Sequence, residues 1–118
     1  AREVYAAGGV IGAVCHGPAA LIDLQLDDGS FLVDGRQVTA FTNAEEEHAG
    51  MSHVVPFALE TALIERGARF TGKAPFTDHA VADGRLVTGQ NPASAVTAAG
   101  LVVQALDPGY RPGRHEKA

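Results

Sequence analysis

The chain has 118 residues, a length that suits one small domain or a part of a larger one. Hydrophobic residues make up 46% of the sequence and charged residues 19%, which excludes a disordered or collagen-like chain. The formal net charge of −5 at pH 7 argues against nucleic acid or an anionic membrane as a partner.

The single cysteine, Cys15, excludes an internal disulfide and any multi-cysteine metal site, and it is typical of a reducing compartment. The longest uncharged apolar stretch, residues 93–106, is too short to span a bilayer. No secretory signal pattern opens the chain. We therefore expect a soluble, cytoplasmic protein.

The first half of the sequence alternates helical and strand patterns. Residues 1–7 have a helical pattern, residues 10–14 form a β-branched run typical of a buried parallel strand, and residues 18–24 restart as a helix. Turn signals bracket residues 31–33, and the second of them, an Asp-Gly pair, predicts a small hairpin into a strand over residues 37–41. Asn43 is then predicted to cap a glutamate-rich helical turn.

The second half continues the alternation. A longer helix is predicted over about residues 54–66, followed by a hairpin in which an Asp-Gly pair joins residues 79–82 to residues 86–88. A small-residue helix runs from the Asn-Pro pair at 91–92 to about residue 106, and residues 107–118 form a loose tail. This order predicts an α/β layer fold, but it contains too few strands for a complete doubly wound domain. We therefore expect the rest of the sheet to come from elsewhere, or a second copy to cover it.

The strongest chemical signal is the turn between the first strand and the helix that follows it. Cys15 and His16 lie there between the small residues Ala13 and Gly17, which is the layout of a nucleophile elbow. The helix N-terminus is expected to favour a thiolate, and the backbone N–H of His16 is expected to form one half of an oxyanion hole. A lone cysteine is most often a small buried apolar residue, but the strand–turn–helix context favours a reactive thiol with His16 as its base.

A thiol–imidazole pair needs a third group that orients the imidazole. The candidates are Glu45, Glu46 and Glu47, which follow the predicted strand at 37–41. Solvated acids in a first helical turn would explain at least two of them, and spacing alone does not choose among the three. A metal site built from Glu45, His48 and His53 has weak support, because no second Glu-x-x-His motif is present.

Several blocks of the sequence, taken in order, resemble one known superfamily. They are residues 14–21 (VCHGPAAL), 38–42 (VTAFT), 55–57 (VPF) with Leu59, Glu60 and Leu63, and 83–94 (DGRLVTGQNPAS). The blocks are similar to the ThiJ/PfpI superfamily, whose domain is like that of class I glutamine amidotransferases. They are most similar to its branch of heat-shock-type chaperones and glutathione-independent glyoxalases, known as glyoxalase III. The resemblance covers residues 1–106 and corresponds to the C-terminal part of that domain.

The resemblance implies a flavodoxin-like three-layer α/β sandwich with a mostly parallel sheet, truncated at the N-terminus. It implies a catalytic triad of Cys15, His16 and Glu46, with Glu45 as the acid if the register slips by one, and no cofactor or metal. The family's N-terminal half carries a glutamate that binds the thiol and a glycine-rich turn that completes the oxyanion hole. Neither has a counterpart in this sequence.

The first functional hypothesis from the resemblance is a cofactor-independent glyoxalase that converts methylglyoxal or glyoxal to D-lactate or glycolate, with deglycation as a related activity. The alternatives are a cysteine peptidase or amidase of the PfpI type, and a redox-sensitive holdase chaperone in which Cys15 is oxidised. The expected partners are a small dicarbonyl substrate and either a second copy of the chain or the missing N-terminal half.

Overall fold

A computed structural model describes residues 2–50 and 58–107 of the chain. Within these ranges the chain forms four α-helices, five short strands and two 3₁₀ helices, and this alternation confirms the predicted α/β class. None of the helices in the described ranges is both long and apolar enough to cross a membrane. In chain order the elements are α1 (Arg2–Ala6), β1 (Ile11–Val14), a 3₁₀ helix (Gly17–Leu21), β2 (Gln37–Val38), α2 (Asn43–His48), α3 (Leu59–Glu65), β3 (Arg69–Phe70), β4 (Ala80–Asp83), β5 (Leu86–Gly89), a second 3₁₀ helix (Pro92–Ser94) and α4 (Ala95–Leu106).

The larger sheet has three strands in the order β1-β5-β4. β1 is parallel to β5, with Ile11 opposite Leu86, and β4 is antiparallel to β5. All four residues of the central strand β5 are buried, as expected for a strand that is covered on both faces. A separate two-stranded sheet pairs β2 with β3 in parallel.

The two faces of the larger sheet carry different packing. Ile11 and Leu86 point to the face that bears the main hydrophobic core. On the opposite face, α4 lies so close to the sheet that a side chain at either of two glycine positions would crowd its neighbours. A Cβ on Gly12 would lie 2.8 Å from Cγ2 of Val102, and a Cβ on Gly89 would lie 3.3 Å from Cβ of Ala98. The core residues come from the helices, strands and connecting turns on the first face: Tyr5, Ile11, Leu21, Ile22, Leu32, Val33, Val38, Ala40, Leu59, Leu63, Ala68 and Leu86.

Of the two hairpins predicted at Asp-Gly pairs, the structure contains the second. At Asp83 the predicted hairpin is present, with Asp83 opposite Leu86 and Gly84 in the two-residue loop at a φ of 59°. The hairpin predicted at the first pair is wrong, because residues 32–35 form a turn and β2 pairs with the distant β3. Residues 31–33, which the turn signals bracket, form no strand, and Phe31 makes an isolated bridge with Gln25.

Several predicted boundaries differ from the structure because of local hydrogen bonding. The helix expected over 18–24 is a 3₁₀ helix, since its backbone bonds span three residues rather than four. The strand expected over 37–41 ends at Val38, and the N–H of Thr39 donates instead to Oγ1 of Thr88. Thr42, not Asn43, caps α2, because it forms a capping box with Glu45.

Two further predictions concern regions that the structure describes only in part. The helix predicted over 54–66 is observed as α3 from Leu59, with Ala58 as its N-cap, and its expected start lies outside the described residues. Of the predicted tail, only Asp107 is described, and residues 108–118 lie outside the described ranges.

Arg85, in the loop between β4 and β5, holds α1 against the sheet. Its Nη1 donates to the backbone carbonyls of Tyr5 and Gly9, and its guanidinium carbon lies 4.1 Å from the centre of the buried Tyr5 ring. The Tyr5 carbonyl, near the end of this five-residue helix, also accepts from the N–H of Gly8, and Gly9 lies beyond the helix. A cation–π contact and two charge-assisted hydrogen bonds therefore converge on one side chain.

We expect Arg85→Ala to lower the free energy of unfolding by about 2 kcal/mol, through the loss of these contacts. Urea unfolding followed by circular dichroism would measure the change. The exposed Arg69 provides a matched control, and Arg69→Ala should change the stability by less than about 0.5 kcal/mol. Equal effects of the two substitutions would contradict this account.

Candidate active site

Cys15 occupies a strained turn at the carboxyl end of β1. Its φ is 60°, in the left-handed region that non-glycine residues rarely adopt, and such a conformation costs on the order of 1–3 kcal/mol. Two backbone hydrogen bonds hold it: the N–H of Cys15 donates to the carbonyl of Gly89, and its carbonyl accepts from the N–H of Phe41. The turn therefore projects the thiol at the edge of the sheet where open α/β folds place their sites.

The small residues predicted on either side of the turn face each other in the structure. A Cβ on Gly17 would lie 3.4 Å from the Cβ of Ala13. Larger side chains at these two positions would press against each other and against the turn. This packing accounts for the small-x-nucleophile-x-small pattern.

The three predicted triad side chains form a hydrogen-bonded line. Sγ of Cys15 lies 3.6 Å from Nδ1 of His16, and Nε2 of His16 lies 2.7 Å from Oε1 of Glu46. The imidazole is partly exposed, with 40% of its side-chain surface accessible, whereas the Glu46 side chain is only 4% accessible. A nearly buried carboxylate therefore holds a ring whose other edge faces the thiol.

The partners of His16 decide the roles of its two nitrogens. An ionised carboxylate can only accept hydrogen bonds, so Glu46 requires a proton on Nε2. In the neutral ring, Nδ1 is then left as the acceptor that faces Cys15. This tautomer, assigned from the hydrogen-bond partners, is the one that can take a proton from the thiol.

The alternative acid, Glu45, is bound to other groups. Oε1 of Glu45 accepts from the backbone N–H of Thr42, and Oε2 accepts from the backbone N–H of Phe76 and from Nδ2 of Asn91. Burial by itself raises the pKa of Glu45, but these hydrogen bonds outweigh it and the pKa lies below its ordinary value. The third candidate, Glu47, is exposed on α2.

The expectation that the helix N-terminus lowers the pKa of Cys15 is wrong for this structure. Burial raises the pKa of the thiol, and the negative charges of Glu45 and Glu46 raise it further, while the backbone N–H of His16 lowers it. The helix that follows the cysteine is a five-residue 3₁₀ helix, which provides little dipole to oppose these effects. The backbone N–H of His16 lies at the sulfur of Cys15, and its role as one half of an oxyanion hole stays a prediction.

Two aromatic residues that the sequence analysis did not single out as site residues lie beside the triad. The ring of Phe41 lies 4.5 Å from that of His16, and Phe76 contacts Phe41 edge to face at 5.7 Å. Phe41 belongs to residues 38–42, one of the blocks that resemble the family, so the sequence did contain a signal for this residue. No motif pointed to Phe76, because its position depends on contacts across 31 residues of sequence with Glu45.

Within residues 2–50 and 58–107, no group of three or more His, Cys, Asp or Glu side chains has an arrangement that could hold a metal ion. The residues considered for a metal site are placed apart or are engaged. Glu45 is held by its hydrogen bonds, His48 contacts the Phe76 ring, and His53 lies outside the described residues.

Known proteins are similar to this chain in sequence and in the arrangement of their elements. The model of the DJ-1/PfpI family matches residues 1–105. The glutathione-independent glyoxalase HSP31 of Saccharomyces cerevisiae is 38% identical over 112 residues, which cover 90% of this chain and 47% of that protein. The chain thus spans about half the length of the curated relatives it matches.

Solved structures show the same similarity, and one of them is a glyoxalase III. The crystal structure of glyoxalase III from Candida albicans superposes with a TM-score of 0.83 at 35% identity, covering 88% of this chain and 46% of that one. The Rapid Encystment Protein of Francisella tularensis superposes with a TM-score of 0.85 at 40% identity, covering 88% and 46%. The predicted flavodoxin-like α/β fold and the resemblance to the glyoxalase III branch are both confirmed. The match over residues 1–105 shows that the chain belongs to the DJ-1/PfpI family.

Proposed function

We propose that this chain carries the catalytic triad of a glutathione-independent glyoxalase that converts methylglyoxal to D-lactate and glyoxal to glycolate. The observation that carries the proposal is the hydrogen-bonded line from Cys15 through His16 to Glu46. The names of relatives at 35–40% identity support the choice of substrate class. The chain spans about half of those relatives, so the activity of the whole protein is part of the proposal.

In the first step, Sγ of Cys15 attacks the aldehyde carbon of the dicarbonyl, and Nδ1 of His16 takes the thiol proton. The aldehyde oxygen then receives this proton from the imidazolium and becomes a hydroxyl, which gives a hemithioacetal and returns His16 to its neutral form. The N–H of His16 lies at the sulfur and can stabilise negative charge that develops there.

In the second step, His16 removes the proton from the former aldehyde carbon and returns a proton to the neighbouring carbon through an enediolate. The hemithioacetal becomes a thioester of the 2-hydroxy acid, with no net oxidation because one carbon is oxidised as the other is reduced. Water then hydrolyses the thioester, releasing the hydroxy acid and restoring the thiol. Glu46 keeps Nδ1 facing the reacting atoms throughout.

Deglycation of early sugar adducts would share the first step and forms part of the same proposal. Cytoplasmic localisation and the formation of a homo-oligomer, or association with an N-terminal half, stay predictions.

The first prediction concerns the nucleophile. The chain should form D-lactate from methylglyoxal without glutathione, and Cys15→Ala should reduce the rate by about 10³-fold or more, because the covalent step is lost. A D-lactate dehydrogenase assay measures the product, and circular dichroism checks that the variant is folded. Equal rates from the two forms would remove Cys15 from the mechanism. No lactate from either form would contradict the proposal that this chain is itself a working glyoxalase.

The second prediction concerns the acid. Glu46→Gln should reduce kcat/KM for methylglyoxal by about 10²-fold or more, because an amide can donate to Nε2 and no longer fixes the reactive tautomer. Glu47→Gln removes the same charge from an exposed position of the same helix and should leave kcat/KM unchanged. If the two variants lost activity equally, the positioning role of Glu46 would be wrong.

The third prediction concerns the thiol. The rate of Cys15 alkylation by iodoacetamide should titrate with an apparent pKa above that of a cysteine in an unstructured peptide, because the thiolate is the reactive form. Glu46→Gln should lower this apparent pKa by removing one of the two carboxylates that raise it. Since the chain has one cysteine, intact mass spectrometry follows this site alone. A wild-type value below that of the peptide would contradict the prediction.

A further inference from the structure

The proposed reaction leaves one fully buried carboxylate beside the triad without a role. Glu45 is 0% exposed and accepts four hydrogen bonds. Oε1 accepts from the backbone N–H and the hydroxyl of Thr42, at 2.9 and 3.2 Å. Oε2 accepts from the N–H of Phe76 at 2.8 Å and from Nδ2 of Asn91 at 2.7 Å. A buried carboxylate with charge-assisted bonds on both oxygens is held in one position and orders the groups that bind it.

Phe76, which binds this carboxylate through its N–H, has a backbone conformation that needs such support. Its φ is 59°, which is unfavourable for a bulky side chain and persists only where the surrounding structure fixes it. The segment is anchored on both sides of the residue. The side-chain amide of Gln90 bonds both backbone groups of Lys73, at 2.9 and 3.0 Å, and Nδ2 of Asn91 donates to the carbonyl of Thr77 at 2.8 Å.

This conformation places the Phe76 ring in contact with Phe41, which lies beside His16 of the triad. The ring meets Phe41 edge to face at 5.7 Å and lies 5.6 Å from the His48 ring, and Phe41 in turn lies 4.5 Å from His16. Phe41 is buried, whereas Phe76 is 41% exposed. We call Phe41 and Phe76 the aromatic wall. It extends from the His16 ring, whose Nδ1 lies 3.6 Å from Sγ of Cys15, to the partly exposed ring of Phe76.

We propose that Phe76 determines which dicarbonyl substituents fit beside Cys15, and that Glu45 is the positioning residue that holds Phe76 in place. The inference deepens the proposed function and rests on it for the nature of the substrate. The adjacent glutamates of α2 then have separate tasks: Glu46 orients the base, and Glu45 builds the wall that limits the size of the substrate.

The size of the site can be measured without any turnover. Iodoacetamide and N-benzyl iodoacetamide carry the same reactive group and differ in bulk, and Cys15 is the only cysteine in the chain. The ratio of their alkylation rates, normalised to a free cysteine peptide, reports access to the thiol. A change in the pKa of Cys15 alters both rates equally and cancels in the ratio.

Phe76→Ala should raise the ratio of the benzyl reagent to the small reagent by about tenfold, because the wall is shortened. Glu45→Gln should raise the same ratio severalfold, because an amide cannot accept on both sides and releases residue 76. Glu47→Gln is the matched control and should leave the ratio unchanged. Phe76→Gly removes the ring but adopts the left-handed conformation without strain, so it should raise the ratio while keeping the stability of the chain.

An unchanged ratio in Phe76→Ala would overturn the role of Phe76. If Glu45→Gln raised both rates with the ratio unchanged, its role would be general stability, and the positioning assignment would be wrong. Should Glu45→Gln fail to fold, Asn91→Ala tests the same link, because it removes one contact to Oε2 and the anchor on Thr77. It should raise the ratio, and an unchanged ratio would overturn the link.

A second experiment measures turnover and compares kcat/KM for phenylglyoxal with kcat/KM for methylglyoxal. Phe76→Ala should shift kcat/KM toward phenylglyoxal by about tenfold, mainly through KM, since the change concerns fit rather than the proton transfers. An unchanged preference in an active variant would overturn the specificity role. If no form of the chain produced a hydroxy acid while the alkylation ratio still shifted, the proposed function would fail and the control of access to Cys15 by the wall would stand.

Discussion

Cys15 lies between β1 and the first 3₁₀ helix with a φ of 60°, and the arrangement of the site follows from that one backbone conformation. Hydrogen bonds from neighbouring segments of the chain compensate for the strain at Cys15. β5 accepts the N–H of Cys15 at Gly89, and the segment after β2 donates to its carbonyl through Phe41. The same hydrogen bonds bring the start of α2 to the elbow, since Phe41 is followed directly by the capping residue Thr42. The hydrogen bonds that hold the backbone of Cys15 therefore also place Glu46 beside His16.

The start of α2 also shows how neighbouring residues of one chemical type acquire different functions. Consecutive positions of an α-helix point about 100° apart, so Glu45 and Glu46 face different partners although both are buried. Glu45 turns back to its own helix start and across to Phe76, whereas Glu46 faces His16. Glu45 accepts hydrogen bonds on both oxygens, which offset the cost of its burial, whereas within the described residues Glu46 accepts only from Nε2 of His16 on Oε1, and its buried Oε2 has no hydrogen-bond partner.

The sequence predicted those features that depend on local chemistry. Strand β1, the elbow at Cys15 and the hairpin at Asp83 are each determined by a few adjacent residues with specific steric requirements. The resemblance to a known family added Glu46, which spacing alone could not distinguish from Glu45. The strand β3 (Arg69–Phe70) was missed because two residues carry no periodicity, and its pairing with β2 joins segments more than 30 residues apart. Phe76 was missed for a related reason: its left-handed conformation is imposed by Glu45 and has no local sequence signal.

The raised pKa of Cys15 changes how the triad must operate. A cysteine that is ionised at rest would need its histidine only later in the reaction, but burial and the carboxylates of Glu45 and Glu46 raise the pKa of Cys15 and so disfavour the thiolate. The proton must therefore leave as the carbon–sulfur bond forms, and the acceptor must already be aligned. Glu46 has two opposing effects here, since its charge disfavours the thiolate while its hydrogen bond directs Nδ1 of His16 at the thiol. In the proposed reaction, Cys15 therefore depends on an aligned His16 to become a nucleophile, and the hydrogen bond from His16 to Glu46 provides that alignment.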